Sequence, residues 1–146
     1  MSLPDGFAFA HELRVRWSET DPQGIVFNAN YLLYADVGFT EYLRALGYPY
    51  PMPTKDAGTE LFAVRSEVDF RGSARFDEVI AVAVRTARIG RSSFTMEFEV
   101  RRDDALLTAI RSTYVNAAPD GGGARPLPVD FVTRIEAFEA VAPVRG

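Results

Sequence analysis

The chain has 146 residues, of which 47% are hydrophobic and 25% charged. That balance belongs to a single soluble globular domain over 1–146 and excludes wholesale disorder, collagen-like repeats and a coiled coil. The net charge is −4, cysteine is absent and His11 is the one histidine; this excludes disulfides, thiolate metal sites and cysteine nucleophiles, and argues against a multi-histidine metal site and a general nucleic-acid binder.

Met1 to Arg14 has no basic start and no apolar core ahead of a cleavage site, so no signal peptide is expected and a cytoplasmic address follows by default. Phe9, His11, Leu13, Val15 and Trp17 alternate with Glu12, Arg14 and Arg16. This predicts a strand over 9–17 with one buried face, on which His11 reads as a structural histidine. A polar loop follows over 18–24. From about Asn28 the period changes: Leu32, Ala35, Phe39, Tyr42 or Leu43, and Leu46 recur every three or four residues, an amphipathic helix. Asn28 or Asn30 is placed to cap it, and Gly47 to stop it. Prolines 49, 51 and 53 make 48–58 a loop.

Four strands are predicted next. Phe62, Val64, Val68 and Phe70 alternate with charged residues. Glu78 to Arg88 is apolar on both faces from Val79 to Val84, as in a central strand covered on both sides. That six-residue run is the longest apolar one and far short of the roughly 20 residues a spanning helix needs, so no membrane partner is expected. Phe94 to Val100 alternates again, and Leu106 to Asn116 is the last of the four. Ile89-Gly90 and Asp103-Asp104 read as hairpin turns. Pro128 to Val141 closes the chain as a short helix with Phe131, Ile135 and Phe138 inward. The order β, α, four β, α gives an α+β fold: a curved antiparallel β-sheet around one long helix.

The most informative stretch joins the first strand to the long helix. Pro22 biases Asp21 toward an extended conformation, and Gly24 permits a sharp turn or close approach of a ligand. Ile25, Val26 and Phe27 set an apolar wall beside the carboxylate. The helix start offers unpaired N–H groups and the positive end of its dipole. A carboxylate facing such N–H groups can hold a carbonyl between them, Asp21 acting as base or nucleophile. The same residues also read as an Asx turn with a plain turn glycine, and spacing alone leaves both open.

The segment Thr20-Asp-Pro-Gln-Gly-Ile-Val-Phe-Asn-Ala-Asn-Tyr31, followed by Glu41-Tyr-Leu-Arg-Ala-Leu-Gly47, resembles the hot-dog acyl-CoA thioesterases of the 4-hydroxybenzoyl-CoA thioesterase and acyl-CoA thioester hydrolase branch. Those carry Asp-x-x-Gly-[Ile/Val]-Val-x-x-x-x-Tyr in this loop. Arg88-Ile-Gly-Arg-Ser-Ser-Phe94 and Pro126-Leu-Pro128 continue the resemblance over nearly the whole chain. It implies a hot-dog fold, dimers that often pair into tetramers, and active sites at the dimer interface. It implies Asp21 as the catalytic carboxylate and the Asn28 backbone N–H as the donor to the thioester carbonyl, beside Gly24. It further implies Arg88, Arg91 and Ser92 at the CoA phosphates, an acyl-CoA substrate, and no metal or cofactor. Arginine suits phosphate independently, and fifteen of the sixteen basic residues are arginine; two solvated arginines at a hairpin are the plain alternative.

Asn28 departs from the family pattern, since many bacterial members carry histidine there and the 4-hydroxybenzoyl-CoA enzyme tyrosine. Asparagine cannot relay a proton near neutral pH. A non-catalytic acyl-CoA-binding hot-dog protein, a sensor or structural module, is therefore the alternative; a dehydratase would need a catalytic histidine, and His11 is badly placed for that. Trp17, Phe27 and Tyr31 either line an acyl pocket or belong to the core. Asp36 either orients a substrate hydroxyl or is an interface or surface carboxylate; Glu19 is either a second acid near Asp21 or, two residues away on an extended strand end, a solvent-facing one.

Overall fold

The computed structural model describes residues 2–48 and 52–146. Along the chain come β1 (Ala10–Arg14), α1 (Asn30–Ala45), β2 (Glu60–Phe70), β3 (Val79–Ile89), β4 (Ser93–Arg102), β5 (Ala105–Ala117), α2 (Val129–Phe138) and β6 (Val144–Arg145). The sheet runs β1-β3-β4-β5-β2 and these pairs are antiparallel; β6 lies parallel to the last two residues of β3.

From Ala35 on, the helical period falls where its residues predict; Leu32, expected on the same stripe, is 43% exposed. Tyr31, Tyr34, Ala35, Gly38, Phe39, Tyr42 and Leu43 are the buried positions of α1. They share one core with Val82, Val84, Phe94, Met96 and Phe98 of the sheet. Gly38 lets the helix come close: a Cβ there would stand 2.6 Å from Val82 Cγ1 and 3.0 Å from Val84 Cγ2. Gly47 ends the helix at φ +102°. Its N–H donates to Arg44 O and that of Tyr48 to Leu43 O, so a left-handed residue satisfies the last carbonyls. The run Ile80–Val84 is buried throughout, because β3 lies between β1 and β4. Asp103, at φ +52°, makes with Asp104 the β4–β5 turn.

Several expectations are corrected. The first strand stops at Arg14, and Trp17–Glu19 forms a 3-10 turn in which the Arg16 N–H donates to Glu19 Oε1 and the Glu19 N–H to Arg16 O. Neither Asn28 nor Asn30 caps α1: its N-cap is Ala29 without a side-chain bond, and Asn30 Nδ2 donates to Glu19 O instead. Ile89 is the last, fully buried residue of β3, so the following turn is Gly90–Ser92, one residue beyond the Ile89-Gly90 expectation. The alternation in β2 buries its predicted face only in part: Val68 is half-buried and packed on the core. Phe62 and Val64 are 41% and 59% exposed, because β2 is a sheet edge and its register shifts between Ala63 and Arg65. Of the proline-rich loop, residues 49–51 lie outside the described residues; Lys55–Ala57 forms a further 3-10 turn.

Candidate active site

The junction between β1 and α1 is a small hairpin. Thr20 bridges Val26, the Asp21 N–H donates to Ile25 O, and the Gly24 N–H donates to Asp21 O. Gly24 sits at φ +79°, the left-handed position that closes such a turn and that a side chain would strain. Asp21 Oδ1 accepts the Gln23 N–H at 2.8 Å. This is the Asx turn allowed by the sequence, and it spends one carboxylate oxygen. No described residue donates to Oδ2, and Asp21 is half-buried. The loop between β2 and β3 backs the hairpin: the Val26 N–H donates to Ala74 O and Ile25 bridges Arg75.

At the base of the hairpin, the Phe27 N–H donates to Glu19 O. The next two N–H groups, of Asn28 and Ala29, have no acceptor among the described residues, and both residues are exposed. They stand at the start of a 16-residue helix, whose dipole favours developing negative charge there. The β1–α1 junction thus carries a carboxylate with a free oxygen and, a few residues on, two free donors at the start of a helix. That set can polarise a carbonyl and deliver a base or nucleophile to its carbon.

Glu19 does not face solvent, contrary to the expectation from its place at a strand end: it is 5% exposed. Burial pushes its carboxyl up, but bonds from the Arg16 N–H, the Arg16 guanidinium and the Tyr34 hydroxyl outweigh this and hold it below the usual carboxylate range. In sequence it looks like any loop acid. The one available signal is Arg16 three residues before it, and Tyr34 lies too far along the chain to be read as its partner.

The other predicted residues divide. Tyr31 is a core residue, 2% exposed, with its hydroxyl accepting the Ala74 N–H at 3.0 Å, so it presents no surface to a ligand here. Phe27 and Trp17 are exposed, Trp17 at 75%. Asp36 is exposed and His11 half-buried. Arg88, Arg91 and Ser92 lie at the far end of β3: Val79 to Arg88 spans about 30 Å of strand, so a single chain does not bring them to Asp21. Arg88 donates to Gly146 O at 2.7 Å. Arg91 is exposed, and no described residue engages its guanidinium. Among the described residues no group of three His, Asp or Glu side chains is placed to hold a metal ion, and no helix is long and apolar enough to cross a membrane.

Residues 23–109 match the family described as the thioesterase superfamily; the match covers Gly24, Asn28, Arg88 and Arg91 and starts two residues after Asp21. A putative esterase of Aquifex aeolicus is 31% identical over 96 residues, 66% of this chain and 74% of that protein. The acyl-CoA thioesterase YbgC of Haemophilus influenzae is 25% identical over 125 residues, 86% of this chain and 89% of that protein. Among solved structures, a Thermus thermophilus thioesterase complexed with coenzyme A and zinc is 28% identical. It superposes with a TM-score of 0.79, covering 94% of this chain and 98% of that one.

Proposed function

The chain belongs to the thioesterase superfamily, and from that premise we propose that it hydrolyses a small aromatic or aliphatic acyl-CoA to the free acid and CoA, with Asp21 as the catalytic carboxylate. The observation that carries this reading is a carboxylate oxygen without a donor in the β1–α1 hairpin and, just past its base, the unspent N–H groups of Asn28 and Ala29 at the start of α1. The thioester carbonyl oxygen accepts from these N–H groups. Attack at the carbonyl carbon, by water that gives its proton to Asp21 or by Asp21 itself, puts charge on that oxygen, where the helix start stabilises it. The C–S bond then breaks and CoA leaves as a thiolate; where Asp21 itself attacks, water then cleaves the resulting mixed anhydride, which releases the free acid and restores the carboxylate. Ordinary thiols ionise near pH 8.5, so this leaving group needs little protonation, and an asparagine side chain at position 28 suffices.

The nucleotide end is the work of a second copy. β2 offers a free backbone edge with Phe62, Val64 and Phe70 exposed, which is a template for strand pairing. A two-fold axis near the middle of β2 pairs it antiparallel with its partner and brings Phe62 beside the partner's Phe70. Phe62 lies in one row with Val115 and Ser93, next to the Gly90–Ser92 turn. Arg91, Arg88 and Ser92 of one protomer thereby approach the Asp21 hairpin of the other, where their charge meets the CoA phosphates in an otherwise acidic protein.

The test is free-thiol release from a panel of acetyl-, butyryl-, hexanoyl-, benzoyl- and 4-hydroxybenzoyl-CoA. At least one should turn over with kcat/KM of roughly 10⁴ M⁻¹s⁻¹ or more. Binding of CoA thioesters with no thiol release from any of them would overturn hydrolysis in favour of a non-catalytic acyl-CoA binder.

A further inference from the structure

We propose that Glu19 is a positioning residue for this hydrolysis: its buried carboxylate and its carbonyl clasp the base of the Asp21 hairpin to α1, fixing the Asp21 carboxylate against the Asn28 N–H. The inference rests on the roles given to Asp21 and Asn28 above. One residue holds four neighbours. Glu19 Oε1 accepts from the Arg16 N–H at 2.8 Å and from the Tyr34 hydroxyl at 3.0 Å, and Oε2 accepts from Arg16 Nε at 2.8 Å. Its main-chain oxygen accepts from the Phe27 N–H at 3.0 Å and from Asn30 Nδ2 at 2.9 Å. These partners are the chain entering the hairpin, the chain leaving it, the first turn of α1 and the second. Asp21 lies two residues after Glu19, and Asn28 directly follows Phe27.

The chemistry of the clasp explains why a carboxylate is spent here. Every polar group bonded to the Glu19 carboxylate donates to it, so an ionised carboxylate satisfies all of them, whereas an amide in either orientation would turn its NH2 toward an Arg16 donor, the backbone N–H or Nε. A buried charge is costly unless it is so paired, and an apolar side chain could fill this space without holding the hairpin. Reacting groups displaced by an ångström lose large factors in rate, and residues that orient them act through such bonds.

The test uses the full chain and the fastest acyl-CoA of the panel, with Asp21→Asn as reference. Glu19→Gln should lower kcat about 10- to 100-fold while KM stays within about threefold, and Tyr34→Phe should lower it about 2- to 10-fold. The double variant should fall little below Glu19→Gln alone, because both break one link. Amide exchange at Phe27 should quicken in Glu19→Gln and stay unchanged in Asp21→Asn. Wild-type kcat in Glu19→Gln and Tyr34→Phe, with Asp21→Asn inactive, would overturn the positioning role and leave the catalytic reading standing. A rise in KM with kcat unchanged would overturn it too. Wild-type turnover by Asp21→Asn would instead overturn the catalytic reading itself. Should Glu19→Gln fail to fold, Tyr34→Phe decides: wild-type kcat in that variant overturns the proposal.

Discussion

Gly38→Ala tests how tightly the long helix is pressed on the sheet. The added Cβ would meet Val82 Cγ1 at 2.6 Å, Val84 Cγ2 at 3.0 Å and Val82 Cβ at 3.2 Å. Both valines are fully buried and, being β-branched, stiff at χ1. β3 cannot retreat, because it is bonded to β1 on one side and β4 on the other. Overpacking of this kind costs about 1–3 kcal/mol, and with a contact this short we take about 2–3. Replacing glycine inside a helix returns about 1 kcal/mol, which leaves a net loss of about 1–2 kcal/mol. At about 2.1 cal/mol/K of unfolding entropy per residue over this length, Tm should fall by roughly 3–7 °C. Circular dichroism at 222 nm and constant protein concentration reads this directly. Val82→Ala should relieve the contact, so the double variant should be about 1 kcal/mol more stable than the sum of the single effects. A Tm for Gly38→Ala equal to or above wild type would refute the packing argument.

Arg91→Ala should raise KM roughly tenfold with kcat nearly unchanged, a difference that shrinks as salt screens it; an unchanged KM would remove Arg91 from the CoA site. Hybrid dimers of Asp21→Asn and Arg91→Ala chains should regain one site of wild-type KM, whereas sites built within one protomer would not recover. Val64→Lys, at an exposed β2 position, should leave a species near 16.2 kDa in sedimentation velocity and abolish turnover; a persisting active dimer would move the interface elsewhere. Glu139 tests a buried acid: its Oε2 accepts from the Tyr42 hydroxyl and the Thr86 N–H while Oε1 is buried without a partner among the described residues. Burial pushes its carboxyl above its ordinary value of 4.5 against those bonds. A raised folded value adds stability below pH 4.5 that is lost as pH climbs through it. The Tm of Glu139→Gln minus that of wild type should therefore grow more positive from pH 4.5 to 8, and a constant difference would contradict the assignment.

What the sequence made legible is what depends on local period and turn chemistry. The α1 stripe, the stop at Gly47, the buried run of β3 and the Asp103-Asp104 turn each follow from residues within a few positions of one another. The long-range placements were not legible. Alternation in β2 marks a strand, yet whether its apolar face is covered depends on β2 pairing with β5 and ending the sheet. Leu32 fits the helical period but sits 43% exposed, because the stripe is wider than the surface it meets. At the site, Asp21, Gly24 and the helix start could be read from a dozen consecutive residues. Glu19 could not, because its burial is made by a tyrosine fifteen residues away and by the turn at Arg16. The separation of Arg91 from Asp21 along β3 was equally hidden, since it follows from strand register.

The central claim, that the Asp21 carboxylate does the chemistry, is tested most directly by kcat of Asp21→Asn at saturating acyl-CoA. Asparagine keeps the shape, and its side-chain oxygen can still accept the Gln23 N–H; what is lost is basicity and nucleophilicity. Turnover should fall by roughly 10²-fold or more, while affinity for the CoA product, measured by calorimetry, stays within about threefold. Near-wild-type turnover by the asparagine variant would contradict the account.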